Sequence, residues 1–269
     1  MTAAPSSLSV DGLCLEAGSQ VLVDGAGFTV RRGEVHALVG ASGSGKTLSC
    51  LSLLGLLPPN LRRTAGEIRL DGRALDAAAV ARLRGRVAGL VQQNPRSGFN
   101  PIVRLDRHFR ESLALAGLRG RAAQKRAAAL LADVGFDNPR ALLRLYPFQM
   151  SGGMLQRAMI ALALAHDPAF LIADEPTTDL DLVSQRQLLD LLDHQRTARG
   201  LGILLVTHDL SVTARMADTV SVMQGGRVVE SAAVAALFHA PRSPEATALL
   251  NAHHRLYRAG ALPDGVEAA

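Results

Sequence analysis

Apolar and polar positions alternate through the first part of the chain, in short runs separated by turns. Between residues 6 and 39 the segments DGAG and RRGE divide the runs, and this pattern predicts antiparallel strands. Residues 66–72, GEIRLDG, predict another strand with an Asp-Gly turn. Residues 87–93, VAGLVQQ, predict a buried strand that ends at Gln93.

A helical spacing replaces this alternation in the middle of the chain. The segment NPRSGFNP breaks the strand pattern, and residues 103–145 then show helical spacing without a convincing strand. Buried strands are predicted again at residues 170–176 and 201–209, with a helix at 182–196 between them. A hairpin, VSVMQGGRVVE, and a tail helix, PEATALLNAHHRLY, follow. We therefore expect an α/β protein with an inserted helical lobe.

A glycine-rich segment, GASGSGKT, lies between the buried strand EVHALVG and the apolar helix TLSCLSLLGLL. Glycines let successive N–H groups point at one anion, and a helix N-terminus adds unpaired N–H groups. The spacing G-x-x-x-x-G-K-[ST] in this context predicts a loop that binds the β- and γ-phosphates of a nucleotide. The predicted phosphate-binding residues are Gly40, Ala41, Ser42, Gly43, Ser44, Gly45, Lys46 and Thr47. The Thr47 hydroxyl is also a candidate metal ligand.

Polar side chains stand at the ends of the other buried strands. In FLIADE, Asp174 is a candidate Mg²⁺ ligand, and Glu175 is placed to act as a general base that orients water against the γ-phosphate. Gln93 is a candidate for ligating Mg²⁺ or positioning water. His208, in VTHD, is a candidate contact for the γ-phosphate. Each of these residues alone is also compatible with an ordinary polar strand end.

The segment MSGGM alone is compatible with an ordinary glycine-containing helix start, and in a chain with a phosphate loop it is a candidate for a second anion-binding surface. Ser151 is a suitable N-cap for the apolar helix that follows, and Gly152 and Gly153 expose N–H groups at the positive end of that helix. We name Ser151–Gly153 the signature segment. One nucleotide needs only one such surface, so we expect this one to close over a nucleotide held by another subunit.

Composition excludes several classes of protein. The 269 residues carry a net charge of +5, only 3% aromatic residues and two cysteines, Cys14 and Cys50. Scattered arginines and few aromatics argue against a nucleic-acid groove, and two cysteines give no disulfide framework or metal cluster. No apolar run approaches the roughly 20 residues of a membrane-spanning helix, and the N-terminal segment does not resemble a secretory signal. A reducing cytoplasm is the expected environment.

The order GASGSGKT, Gln93, SGGM, IADEP, TDLD and VTHD resembles the nucleotide-binding subunit of ATP-binding cassette transporters. The resemblance implies a P-loop (RecA-like) α/β core with an antiparallel β-subdomain and an inserted α-helical signature subdomain. It implies an ATP-binding domain over residues 1–240, the helical subdomain at about 95–155, and a C-terminal extension at 241–269. It also implies that Gln93 couples the site to the membrane subunits, that His208 is a switch residue, and that Asp179 belongs to the D-loop at the nucleotide.

The segments QNPRSGFNP, LYPFQMSGGMLQR and LFHAPRSPEATALL resemble the oligopeptide, dipeptide and nickel branch of importers. Within the branch, NPRSGFNP, LYPFQMSGGMLQRAMIALAL and IADEPTTDLD most resemble the first ATPase subunit of nickel importers. This resemblance implies import of nickel or of a metal–metallophore complex. The branch implies ATP and Mg²⁺, a second, paralogous ATPase subunit, two transmembrane permease subunits and an extracytoplasmic substrate-binding protein. It implies a peripheral location on the cytoplasmic face of the bacterial inner membrane. Import of di- or oligopeptides is one alternative. A soluble cassette ATPase of DNA repair or translation is another, and a nucleotide-binding regulator without turnover is a third.

Two departures from the family pattern bear on the site. The usual L-S-G-G-Q signature is here Met150-Ser-Gly-Gly-Met154, in which methionine cannot supply the hydrogen bonds of glutamine. The aromatic residue that usually stacks on adenine is absent, and the segment CLEAGSQ offers Ala17 near that place. We expect the phosphates to supply most of the nucleotide affinity.

Overall fold

A computed structural model of the chain describes residues 4–178 and 180–259. Its strands are β1 Ser7–Ala17, β2 Gln20–Arg31, β3 Val35–Val39, β4 Leu61–Leu70, β5 Arg73–Ala74, β6 Ala88–Val91, β7 Phe170–Asp174, β8 Gly202–Thr207, β9 Thr219–Gln224 and β10 Arg227–Ala233. Its α-helices are α1 Lys46–Leu53, α2 Ala77–Leu83, α3 Leu105–Leu115, α4 Gly120–Asp133, α5 Pro139–Leu142, α6 Gly152–Ala163, α7 Leu182–Arg199, α8 Leu210–Met216, α9 Val234–His239 and α10 Pro244–Ala259. No helix in these ranges is long and apolar enough to cross a membrane.

Two sheets organise the strands. The smaller sheet is antiparallel in the order β2-β1-β4-β5, as the alternating N-terminal pattern predicts. The larger sheet has the order β10-β9-β3-β8-β7-β6. The five adjacent strands from β9 to β6 are parallel to one another. Every residue of β3, β7 and β8 is buried, because helices or the smaller sheet cover both faces of these strands. The predicted α/β fold class is confirmed.

Helices α3 to α6 form the lobe between β6 and β7. Phe109 and Leu113 of α3 and Leu130 of α4 are fully or almost fully buried in a core shared with α6. α6 extends beyond residue 155, the expected end of the helical subdomain, and packs on β6 of the larger sheet. The helix that begins at the signature segment therefore belongs to both the lobe and the core.

The tail helix α10 is held to the larger sheet by one carboxylate. Glu230 of β10 accepts hydrogen bonds from the backbone N–H groups of Arg242 and Ser243 and from the Ser243 hydroxyl, at 2.8–3.0 Å. Burial alone would raise the pKa of Glu230, but these donors outweigh it, and the pKa is lowered. Ala246 and Leu250 of α10 add buried contacts in a small core with β9.

The contact between β6 and α6 permits no side chain at Gly89. A Cβ there would lie 2.5 Å from the Ala163 carbonyl oxygen. We predict that Gly89→Ala lowers the free energy of unfolding by about 1–3 kcal/mol, because the backbone of α6 must move away. Gly27→Ala is the matched control, since its Cβ would meet nothing closer than 3.4 Å. Equal melting temperatures of the two variants would contradict this account of the interface.

Candidate nucleotide-binding site

The carboxyl ends of four parallel strands meet at one edge of the larger sheet. β3 leads into Gly40, β7 ends at Asp174, β8 leads to His208, and β6 leads to Gln93. This edge is where open α/β sheets bind their ligands. The topology thus brings together candidate residues from four separate parts of the sequence.

Glycines in the predicted phosphate loop adopt backbone angles that other residues avoid. The φ angle is +151° at Gly40, +78° at Gly43 and +100° at Gly45. A Cβ at Gly40 would lie 2.1 Å from the carbonyl oxygen of Met223 in β9. α1 begins directly after Gly45, and the first N–H groups of a helix have no acceptor within the helix. The loop and the helix start together suit phosphate oxygens.

Lys46 places its ammonium group inside the loop. Its Nζ donates to the carbonyl oxygens of Gly40 and Ala41, both at 2.9 Å, and the side chain is buried. Burial lowers the pKa of Lys46, while the negative charges of Glu175 and Asp174 act to raise it. A buried cation at this position is suited to bind an anion that enters the loop.

Thr47 and Asp174 supply two adjacent oxygens for a metal ion. Thr47 Oγ1 donates to Asp174 Oδ1 at 3.1 Å. Burial raises the pKa of Asp174, the Thr47 hydrogen bond opposes the shift, and repulsion from Glu175 adds to it. No described group of three or more His, Cys, Asp or Glu side chains forms a metal site. The pair fits Mg²⁺, which binds through one or two protein oxygens and completes its shell with water and phosphate.

The Glu175 carboxylate collects three side chains on one oxygen. Its Oε2 accepts from Gln93 Nε2 at 3.3 Å and from Thr178 Oγ1 at 3.0 Å, and it lies 3.3 Å from His208 Nδ1. Glu175 itself has a positive φ of +44°, and its N–H donates to the carbonyl oxygen of Val206. The structure therefore brings together the candidate base and both candidate sensors of the γ-phosphate.

These groups line one cleft of about 490 Å³, a volume typical of small-molecule sites. The cleft is lined by Leu22, Ser42, Gly43, Gly45, Lys46, Thr47, Leu48, Gln93, Glu175, Thr178 and His208. Leu22 was not predicted, and the only sequence signal for it was its apolar character in a strand of the N-terminal hairpin. Thr178 matched a family motif, but its hydrogen bond to Glu175 was not predicted. Ala17 ends β1 opposite Gln20 and is not among the lining residues.

The signature segment does not join this cleft. Ser151 Oγ accepts from the Met154 N–H at 3.2 Å, which confirms the predicted N-cap of α6. A Cβ at Gly152 or Gly153 would meet no atom within 4 Å. Of the described residues that line the cleft, none comes from this segment. Asp179 lies outside the described residues.

A family profile for ABC transporters matches residues 23–178, which include the phosphate loop, the signature segment and Glu175. The chain belongs to the ABC transporter family. It is an ATP-binding ATPase coupled to transport.

Relatives of the chain carry printed names that concern nickel. It is 51% identical over 254 residues to a nickel import ATP-binding protein, NikD, of Pseudomonas putida, covering 94% of this chain and 98% of that protein. The protein of the same name in Rhodospirillum rubrum is 49% identical, with 93% and 96% covered. The solved cbiO1 of Clostridium perfringens, part of the ABC transporter complex cbiONQ, is 25% identical. Its TM-score is 0.74, with 96% of this chain and 98% of that chain covered.

The predicted position of Gln93 at the end of a strand is wrong. Gln93 was predicted to end a buried strand, but β6 ends at Val91 and Gln93 lies two residues beyond it. The Gln92 N–H is turned to the sulfur of Met159, which is not part of the neighbouring strand. The Gln93 amide contacts Glu175, and its role as a Mg²⁺ ligand stays a prediction.

We predict that Asp174→Asn raises the melting temperature of the chain without nucleotide at pH 7. The pKa of Asp174 is higher in the folded chain than the ordinary value of 3.8, so ionisation opposes folding. The advantage of the variant should therefore narrow as the pH falls towards 3.8. Asp137→Asn, an exposed substitution in the helical lobe, is the control.

The same variant should lose the additional thermal stabilisation that Mg²⁺ gives to the ATP-bound chain. A melting temperature for Asp174→Asn below that of the Asp137→Asn control at pH 7 would contradict the electrostatic argument. Thermal unfolding followed by circular dichroism, with and without Mg²⁺ and ATP, measures both effects.

Proposed function

We propose that this chain is the ATP-hydrolysing subunit of an importer for nickel or a nickel–metallophore complex. The observation that carries the proposal is the Glu175 carboxylate, which lies in the cleft beside the phosphate loop with Gln93, Thr178 and His208 around one oxygen. Relatives that are named as nickel import proteins match 93–94% of the chain and support the choice of cargo. Their names also favour import over DNA repair or translation.

The phosphate loop, with Lys46 and Thr47, and the neighbouring Asp174 bind the nucleotide and its metal ion. Backbone N–H groups of residues 42–47 and the Lys46 ammonium take the β- and γ-phosphates. Thr47 and Asp174 would hold Mg²⁺, which when bound neutralises phosphate charge. ATP is therefore fixed mainly through its phosphates, while Leu22 offers an apolar contact at the cleft wall.

Glu175 accepts a proton from the water that attacks the γ-phosphate. His208 and Gln93 contact the same carboxylate oxygen from the segments that follow β8 and β6. Loss of the γ-phosphate beside Glu175 would therefore change their surroundings. A general base with these contacts supports turnover and argues against a regulator without hydrolysis.

A second subunit completes each site. The signature segment does not line the chain's own cleft, and this supports a role for it at a nucleotide on a paralogous ATPase chain. The D-loop with Asp179 is assigned to the same interface by the family resemblance. Two transmembrane permease subunits and an extracytoplasmic substrate-binding protein complete the importer. The ATPase chain then lies at the cytoplasmic face of the bacterial inner membrane.

We predict that Glu175→Gln binds ATP with near-normal affinity but lowers turnover of the assembled complex by about 10²–10⁴-fold, as expected for loss of a general base. The phosphate and metal contacts of Lys46, Thr47 and Asp174 stay intact. Glu111→Gln, on the exposed face of α3, is the control. Near-normal hydrolysis by the purified Glu175→Gln complex would rule out the assigned base.

The cargo is tested in cells that lack the chain. Wild type should restore uptake of radioactive nickel from low external concentrations, whereas Glu175→Gln should not. Restored uptake of a labelled dipeptide, with nickel uptake unchanged, would replace the nickel assignment with the peptide alternative.

We predict that Ser151→Asp stops turnover of the complex without weakening ATP binding by the isolated chain. Aspartate keeps an N-cap acceptor for the Met154 N–H but places a negative charge against a phosphate on the partner. Asn138→Asp adds the same charge at the N-cap of α5 in the same lobe and serves as control. If Ser151→Asp weakened ATP binding by the isolated chain, the segment would belong to its own site.

A further inference from the structure

Met159 of α6 contacts the loop that carries Gln93. Its Sδ accepts a hydrogen bond from the backbone N–H of Gln92 at 3.2 Å, and the side chain is only 5% exposed. Gln92 directly precedes Gln93, whose amide donates to Glu175 Oε2 at 3.3 Å. One thioether is therefore separated from the candidate base by two adjacent residues of the loop.

The same methionine also contacts the far end of this loop. Residues Pro95–Gly98 form a short 3-10 helix, and a Cβ at Gly98 would lie 2.6 Å from Met159 Cε. Met159 is thus held between the first and last residues of the segment 92–98, which we name the Gln93 loop. Only glycine at position 98 leaves room for the methyl group in this position.

α6 connects Met159 to the signature segment. The helix begins at Gly152, directly after its Ser151 cap, and Met159 is seven residues further along. Seven residues of α-helix span about 10 Å. From Met154 onward the helix packs on the lobe core, and it also packs on β6. Because the hydrogen-bonded helix is continuous from Gly152 to Ala163, a shift at Met159 displaces its first turn as well.

We propose that Met159 is a positioning residue that ties the Gln93 loop to the signature segment. Displacement of Gln93 at one nucleotide is passed through the Gln92 N–H and the thioether to α6. It thereby shifts Ser151–Gly153, which serve the other nucleotide. The role of Met159 rests on the proposed importer function, but the contact itself exists in the isolated chain.

Met159→Leu tests the contact, because leucine keeps most of the volume but has no sulfur acceptor. In the isolated chain, amide hydrogen exchange at Gln92 should accelerate about three- to tenfold, which corresponds to the net stabilisation of one hydrogen bond. Met216→Leu exchanges a partly buried methionine against the same core and is the control. Unchanged exchange at Gln92 in Met159→Leu would overturn the contact.

The coupling is tested in the assembled complex. Met159→Leu should lower kcat about three- to tenfold and leave the KM for ATP within about twofold, as expected for a residue that affects coupling. Gly98→Ala disturbs the same contact from the loop, because its Cβ displaces the Met159 methyl group. It should also lower kcat and leave the KM for ATP nearly unchanged. A rise in KM equal to the fall in kcat, or wild-type kinetics in both variants, would overturn the positioning role.

The experiments distinguish failure of the proposed function from failure of the Met159 contact. A wild-type complex without ATPase activity would refute that function, while hydrogen exchange at Gln92 in the isolated chain would still support or overturn the Met159 contact. If Met159→Leu fails to fold, Gly98→Ala alone decides the kinetic question, because its methyl group meets the flexible end of a side chain.

Discussion

The position of the candidate base depends on a left-handed backbone turn directly after β7. Glu175 has a φ of +44°, which a residue with a Cβ adopts at a cost of about 1–2 kcal/mol. Its N–H donates to the Val206 carbonyl oxygen at 2.9 Å, so the parallel pairing of β7 with β8 holds the turn. Without that pairing, the carboxylate would not meet Gln93, Thr178 and His208.

The cleft carries its charges before any ligand enters. Lys46 and Asp174 are both buried. Burial lowers the pKa of Lys46 and raises the pKa of Asp174, so in both cases it favours the neutral form. Each charge partly offsets the cost of the other, because the two have opposite signs and interact with each other. Phosphate would add negative charge beside Lys46, and Mg²⁺ would add positive charge beside Asp174. Binding of phosphate and Mg²⁺ together would therefore offset the free-energy cost of burying the two charges.

Local spacing was sufficient to predict the buried strands, the glycine-rich turn between β3 and α1, and the cap at Ser151, whereas the joint site of the strand-end residues was indicated by the family resemblance. It failed where packing between distant segments decides the structure. β6 stops at Val91 because the Gln92 N–H bonds to Met159, 67 residues away, and the strand pattern carries no signal for this. Leu22 lines the cleft because the smaller sheet folds over α1, and an alternating strand pattern does not specify which neighbour it covers.

The sequence predicts two anion-binding surfaces in one chain, and of these the phosphate loop lies at a cleft lined by the candidate base Glu175 and the candidate metal ligand Thr47. If the signature segment serves a partner's nucleotide, pairing of two similar chains in opposite orientation produces two complete sites from two incomplete ones. Each chain then contributes its phosphate loop to one site and its signature segment to the other. The distance and orientation between these two parts of one chain therefore affect both sites. α6 is the element that fixes this geometry, since it begins at the signature segment and touches the Gln93 loop through Met159. Communication between two nucleotides thus becomes a property of one helix inside each subunit.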